Sequence, residues 1–199
     1  MFLIKSPPRS AFDPVLVRDP VLLRAGRLAD YPKWALLREE SRDHLVRWEE
    51  DWAPHELAPA FFKRRLKLSD REMRRGSSLP LFIFRRSDGT LLGGASLSNI
   101  RYGASRSAHL GYWIGASYTR RGYGAAAVRA LLDHAFDTIG LNRVEAACQP
   151  ENAASRLLLE GLGFRGEGLA RSYLKINGAW RDHVIFAFTA EDCRADPGG

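Results

Sequence analysis

Residues 109–136 read HLGYWIGASYTRRGYGAAAVRALLDHAF, and their order decides the fold. HLGYWIG has strand character, whereas Val128, Leu131, Leu132 and Ala135 recur at near-helical spacing, so the stretch predicts strand, turn, helix. The turn Thr119-Arg120-Arg121-Gly122-Tyr123-Gly124-Ala125 therefore opens a helix. Free N–H groups and the positive end of a helix favour an anion there, and phosphate is the natural ligand. Arg120 and Arg121 add charge at the mouth, and glycines admit oxygens that a Cβ would hold off.

Working outward, LFIFRR, the turn Ser87-Asp88-Gly89 and LLGGASLSN predict a hairpin that HLGYWIG extends as a third strand. Downstream, RVEAAC predicts a strand. Asn152–Leu162 predicts a short helix capped by Asn152 and ended by Gly161 or Gly163. Asn177-Gly178 suits a type I′ turn between strands expected at 171–176 and 179–188. Upstream, Val21–Arg24 reads as a short strand, and 29–66 as helices interrupted at Pro32, Pro54 and Pro59, with Ser41 and Asp51 as candidate caps. This order predicts one α+β domain over 1–199, with 1–13 and 194–199 loose.

At 199 residues and 45% apolar composition, the chain can bury roughly 70% of its unfolded surface and needs neither disulfide nor metal to hold its fold. Thirty Lys and Arg against 23 Asp and Glu leave +7, and 25 of the thirty are Arg. That balance points to an anionic ligand or partner, although genome base composition produces the same bias. Lys63 to Arg75 holds seven basic and two acidic residues: either a solvated helix face or a docking surface for an acidic or nucleic-acid partner.

Cys148 and Cys193, with no CxxC, exclude a disulfide framework and a cysteine-built zinc site. His109, His134 and His183 lack metal-ligand spacing and no GxSxG is present, so no metal and no hydrolase triad is expected. The opening MFLIKSPPRS is too short an apolar stretch for a signal peptide, and no segment approaches a membrane span. A soluble, cytoplasmic protein without a membrane partner is the expectation.

Gly122-x-Gly124-x-x-Ala127, with Glu145 further on, also matches the dinucleotide fingerprint. A Rossmann turn follows its strand almost at once, whereas residues 115–121 intervene here and an antiparallel hairpin precedes them.

The series of strand, Arg-rich GxG turn, helix, strand, and PENAAS opening a helix that ends in GF resembles the GNAT N-acetyltransferase superfamily. Within it, LNRVEAACQPENAASRLLLEGLGFRGEGLARSYLKINGAWRDHVIFAFT resembles the ribosomal-protein-alanine N-acetyltransferases. The resemblance implies a mixed, mostly antiparallel central sheet flanked by helices and closed by a C-terminal hairpin. It implies acetyl-coenzyme A as cosubstrate, its diphosphate on the turn and its pantetheine beside the preceding strand. The cofactor contacts would be Trp113, Ile114, Arg120, Arg121, Gly122, Tyr123, Gly124, Ala125, Asn152 and Ser155. Thr119 stands where the superfamily often has Gln or Arg.

Acetyl transfer to an amine needs a neutral nucleophile, donors for the developing oxyanion and a proton for the thiolate. An α-amine, with a pKa of about 7.7–8.0 against about 10.4 for lysine, needs little help to lose its proton. By resemblance, Ser155 would hydrogen-bond or protonate the thiolate, the alternative being an ordinary first-turn helix residue. Glu145 is the best carboxylate base, or else a structural partner of an arginine. The superfamily's usual tyrosine acid falls on Leu159, which leaves Tyr173 as the second candidate acid, its alternative being strand packing.

Cys148, on an apolar strand, reads as core rather than nucleophile. Ser98, Asn99 and Asp182 are expected to face the acceptor, and Trp48 and Trp52 either line that groove or pack in the core. Asp182 and His183, adjacent on a strand, point to opposite faces and cannot act as a pair.

The function implied is acetyl transfer to a protein N-terminal amine, the alanine of a small-subunit ribosomal protein. Alternatives are a small-molecule amine, such as an aminoglycoside or polyamine, and a non-catalytic module using Lys63 to Arg75 to dock on RNA or a ribosome. The identity of the general base stays open.

Overall fold

The computed structural model describes residues 7–195. Its frame is an eight-stranded sheet in the order β1-β2-β3-β4-β5-β6-β8-β7. The strands are β1 (Val15–Arg18), β2 (Val21–Arg24), β3 (Leu79–Arg85), β4 (Leu91–Arg101), β5 (Ser107–Ile114), β6 (Arg143–Cys148), β7 (Arg165–Ile176) and β8 (Ala179–Thr189). Only the β5–β6 pair is parallel. The mixed, mostly antiparallel sheet closed by a hairpin is therefore as expected.

Helices cover both faces. On one, α1 (Tyr31–Glu40) and α3 (Pro59–Arg75) meet the sheet through Trp34, Leu37, Phe62, Phe84 and Leu91, with the short α2 (Arg42–Leu45) between them in the chain. On the other, α4 (Tyr123–Asp133), continued by a π turn over His134–Ile139, and α5 (Ala153–Gly161) bury the main core around Leu97, Leu110, Val144 and Phe186. A last helix, α6 (Ala190–Ala195), follows β8. No helix among the described residues is long and apolar enough to cross a membrane.

Strand β3 and the first half of β4 are largely buried on both faces because helices lie on both sides, whereas β7, at the edge, is exposed along most of its length and carries Arg165, Glu167, Arg171 and Lys175. The closing turn has Asn177 at φ 46° and Gly178 at φ 76°, the left-handed pair a type I′ turn requires.

Several expectations are corrected. Pro32 and Pro59 do not break helices; each sits in a first turn, where its missing N–H is no loss. Neither Ser41 nor Asp51 caps a helix through its side chain: α2 follows Ser41 without a side-chain bond, and Ala58 precedes α3. Ser41 Oγ instead accepts from the Ala116 N–H at 2.9 Å, tying α1 to the turn after β5.

Strand β1, unanticipated, pairs with β2, and β7 begins at Arg165 rather than 171. Ala11 and Phe12 are buried in a short 3₁₀ turn, so the looseness expected of 1–13 does not hold there. Residues 1–6 and 196–199 lie outside the described residues.

Candidate active site

Parallel pairing joins Ser107–Leu110 of β5 to Arg143–Ala146 of β6 and then stops. Beyond it, Gly111–Ile114 pair only with β4, and Ala147 and Cys148 only with β8. The two strands diverge into a wedge whose facing edges hold unpaired backbone groups, ready to pair with an extended ligand.

A cavity of about 190 Å³ fills the apex of the wedge, between Gly111 and Tyr112 of β5, Ala147 and Cys148 of β6, and Ser155 of α5. Asn152 Oδ1 accepts from the Ser155 N–H at 3.1 Å, capping α5 as its sequence promised. That cap holds Ser155 at the cavity, where its Oγ lies 2.7 Å from the Tyr112 hydroxyl. Burial pushes the Tyr112 phenol up to about 12, so it stays a neutral hydrogen-bond donor at physiological pH. Leu159, at the position of the superfamily's usual tyrosine, is buried beneath, and Tyr112 brings a phenol to Ser155 from the opposite strand.

Sequence reasoning missed Tyr112. The available signal was alternation: Ala108, Leu110 and Tyr112 share the core-facing side of β5, and an inward phenol needs a partner.

The glycine-rich turn caps one end of the wedge. Arg120 (φ 58°) and Gly122 (φ 78°) are both left-handed, and Gly122 is the N-cap of α4. The first bond into the helix runs from the Ala126 N–H to the Gly122 carbonyl, so the preceding N–H groups are free to face an anion. Arg120, Arg121 and Gly122 are exposed around it, while Tyr123 and Ala125 pack half-buried against the core.

The two glycines serve different ends. A Cβ on Gly122 would meet no protein atom within 4 Å, so within the protein its φ is what demands glycine. A Cβ on Gly124 would stand 3.0 Å from Leu158 Cδ1 of α5, so Gly124 also lets two helices pack closely.

On the other face, a larger cavity of about 550 Å³ lies between α3 and the sheet, bounded by Arg65, Leu66 and Met73 and by Ser96 and Trp113. It shares Gly111 and Tyr112 with the smaller cavity, so the two meet at β5. The segment carrying Trp48, which covers the smaller cavity, is pinned by the buried Arg38. Its guanidinium donates to both Glu49 oxygens at 2.8 and 2.7 Å and lies between the rings of Trp52 and Trp113 at 4.2 and 5.1 Å. Trp113 thus lines the larger cavity, and Ile114 packs in the core beside α4.

Glu145, Ser98, Asn99, Asp182 and Tyr173 line neither cavity. Glu145 has both oxygens engaged, with Arg143 Nε at 2.7 Å and His109 Nε2 at 3.2 Å, which is the arginine pairing that was its alternative reading. Arg143 also grips Glu167. Ser98 Oγ donates to the His109 carbonyl, and Asn99 Nδ2 lies 3.3 Å from His109 Nδ1. Asp182 accepts from the Ser172 N–H at 2.8 Å, fixing a left-handed residue of β7 and, next to it, Tyr173. Cys148 is buried as expected, its thiol pushed up by burial, yet it lines the smaller cavity.

Comparison with known proteins bears on this arrangement. Residues 21–165 match the family model described as the acetyltransferase (GNAT) domain. The ribosomal protein uS5-alanine N-acetyltransferase of Escherichia coli (strain K12) is 33% identical over 168 residues, 84% of this chain and 84% of that one. Mycobacterium smegmatis RimJ in complex with CoA-disulfide superposes with a TM-score of 0.88 at 36% identity, covering 94% of this chain and 91% of that one. The ribosomal-protein-S5-alanine acetyltransferase from Vibrio fischeri gives 0.83 at 28% identity, covering 90% and 98%.

Proposed function

The chain belongs to the GNAT acetyltransferase family, and from that premise we propose that it moves an acetyl group from acetyl-coenzyme A to the N-terminal α-amine of a protein, namely the alanine of a small-subunit ribosomal protein. The observation that carries the acceptor is the likeness to the uS5-alanine enzyme over 84% of both chains. The wedge supports the donor, because unpaired strand edges suit the amide groups of a pantetheine arm. The diphosphate would rest on the free N–H groups between Arg120 and Ala125, with Arg120 and Arg121 as counter-charge.

The acceptor end would enter through the larger cavity and meet the thioester at Gly111. Direct attack fits, since burial keeps the proton on the Cys148 thiol. Ser155, presented by the Asn152 cap and backed by Tyr112, would hydrogen-bond the departing sulfur. The Tyr112 phenol is a weaker acid than a thiol, so the pair stabilises the thiolate without giving up the phenolic proton.

Helix α3 borders the larger cavity with one side and turns Lys63, Arg64, Lys67, Arg71 and Arg75 outward. That ridge supports an acceptor presented on an RNA-containing particle in the cytoplasm. The test is incubation of small-subunit ribosomal proteins and their N-terminal peptides with acetyl-coenzyme A, read by intact mass. Gain of one acetyl group at an N-terminal alanine is expected. Acetylation of small amines alone would overturn the assignment.

A further inference from the structure

The smaller cavity contains three titratable side chains, Tyr112, Cys148 and His183, and no carboxylate, lysine or arginine lines it. Burial holds the protons on the first two, with the Tyr112 phenol at about 12 and the Cys148 thiol pushed up. At neutral pH neither can accept a proton from an attacking amine. His183 differs, because its nitrogens are already sorted.

Nδ1 of His183 lies 3.1 Å from the Arg181 carbonyl oxygen. A carbonyl only accepts, so Nδ1 is the donor, and in the neutral ring the lone pair is left on Nε2. Nε2 makes no hydrogen bond among the described residues, although the side chain is buried. The ring is also held from its side: Tyr173 stands edge-on to it, with centroids 5.7 Å apart. Tyr173 is placed by the Ser172–Asp182 bond, so the closing hairpin fixes His183.

Within the acetyl-transfer reading above, we propose that His183 is the catalytic base, its Nε2 taking the proton that the acceptor amine sheds in the smaller cavity. The amine lone pair forms the C–N bond, the thioester C–S bond breaks with its electron pair passing to sulfur, and the nitrogen's proton goes to Nε2. The imidazolium then returns that proton to the thiolate, directly or through water, so no other reactant is needed. Tyr173 and Asp182 are positioning residues in this scheme, and Glu145 takes no part.

His183→Asn tests the assignment, because an asparagine amide can still donate to the Arg181 carbonyl but offers no basic lone pair. Coenzyme A affinity by calorimetry and KM for the best wild-type acceptor are expected within threefold, with kcat down by about 10²–10³-fold, as for loss of a general base. Wild-type kcat should fall on the acid side and His183→Asn should lack that fall, and imidazole should restore turnover to His183→Gly in proportion to its free base. A kcat within threefold of wild type in His183→Asn overturns the proposal. If neither variant folds, the wild type decides: a kcat independent of pH from 5 to 9 overturns it equally. A wild type that acetylates a small amine but no peptide would sink the acceptor assignment instead, and the same profile with that amine would still judge His183.

Discussion

The Tyr112 hydroxyl and Ser155 Oγ stand 2.7 Å apart across the wedge, joining residues 43 positions apart in the chain. Removing either partner strands the other in a half-buried site. Ser155→Ala should lower kcat about 10–100-fold with coenzyme affinity nearly unchanged, the range expected for a lost hydrogen bond to a charge-bearing atom. Tyr112→Phe should have a smaller effect in the same direction, and the double variant should lose less than the product of the two. Equal losses of affinity and turnover in Ser155→Ala would reduce Ser155 to a binding role.

The same pair carries a signed pH prediction. Burial raises the Tyr112 phenol to about 12, above the ordinary value near 10 that it has when unfolded. The unfolded chain therefore releases this proton first. Tyr112's share of stability is complete below about pH 10 and lost as pH rises through about 12. Between those values the wild type should lose more thermal stability than Tyr112→Phe does, and parallel melting curves for the two would contradict this.

Much of the fold was legible because its causes are local. Asn177-Gly178 fixes a turn by its own backbone preference, and Asn152 caps α5 three residues ahead of its partner. Strand β1 was not, since Val15 and Val17 point outward and only pairing with β2 makes four residues a strand. Pro32 and Pro59 misled because a proline reads alike whether it ends a helix or begins one. In the site, the glycine-rich turn lies in one stretch of chain, whereas Tyr112, Ser155 and His183 come to line one cavity only after the sheet has formed.

Gly122 and Gly124 should respond differently to one substitution. Gly122→Val forces a branched residue to φ 78°, with open space around it, so strain of about 1–3 kcal/mol should fall on the turn and weaken coenzyme binding. Gly124→Val drives a side chain into Leu158 and should cost about 1–3 kcal/mol of global stability. Leu158→Ala should restore part of the melting temperature of Gly124→Val and none of that of Gly122→Val. Rescue of both, or of neither, would refute the packing role.

Arg38 is buried with its charge answered by Glu49, and Glu56 approaches the same Nη2 at 3.4 Å. Arg38→Ala should cost about 1.5–3 kcal/mol, the range of a hydrogen bond to a charged group, because it takes the cation from half-buried Glu49 and Glu56 and from the Trp52 and Trp113 rings. Arg38→Lys should recover only part of that, since a lysine cannot span both Glu49 oxygens. Trp48 covers the smaller cavity from the same segment, so turnover of Arg38→Lys should fall well below the folded fraction read by circular dichroism. Turnover that tracks the folded fraction would limit Arg38 to stability.

The ridge on α3 separates two kinds of acceptor. Arg74 is paired with Asp70 at 2.9 Å, whereas Lys63, Lys67, Arg71 and Arg75 make no ion pair among the described residues. Their charge is therefore available to phosphates, and each phosphate contact makes binding fall as salt rises. Lys67→Glu combined with Arg71→Glu reverses two charges on the outward side without touching either cavity. Acetylation of assembled small subunits should drop at least tenfold at about 0.1 M salt and lose much of its salt dependence, while a free N-terminal peptide is acetylated as before. A loss equal for both acceptors would place these residues in the acceptor cleft, and no loss for either would leave the ridge a solvated helix face.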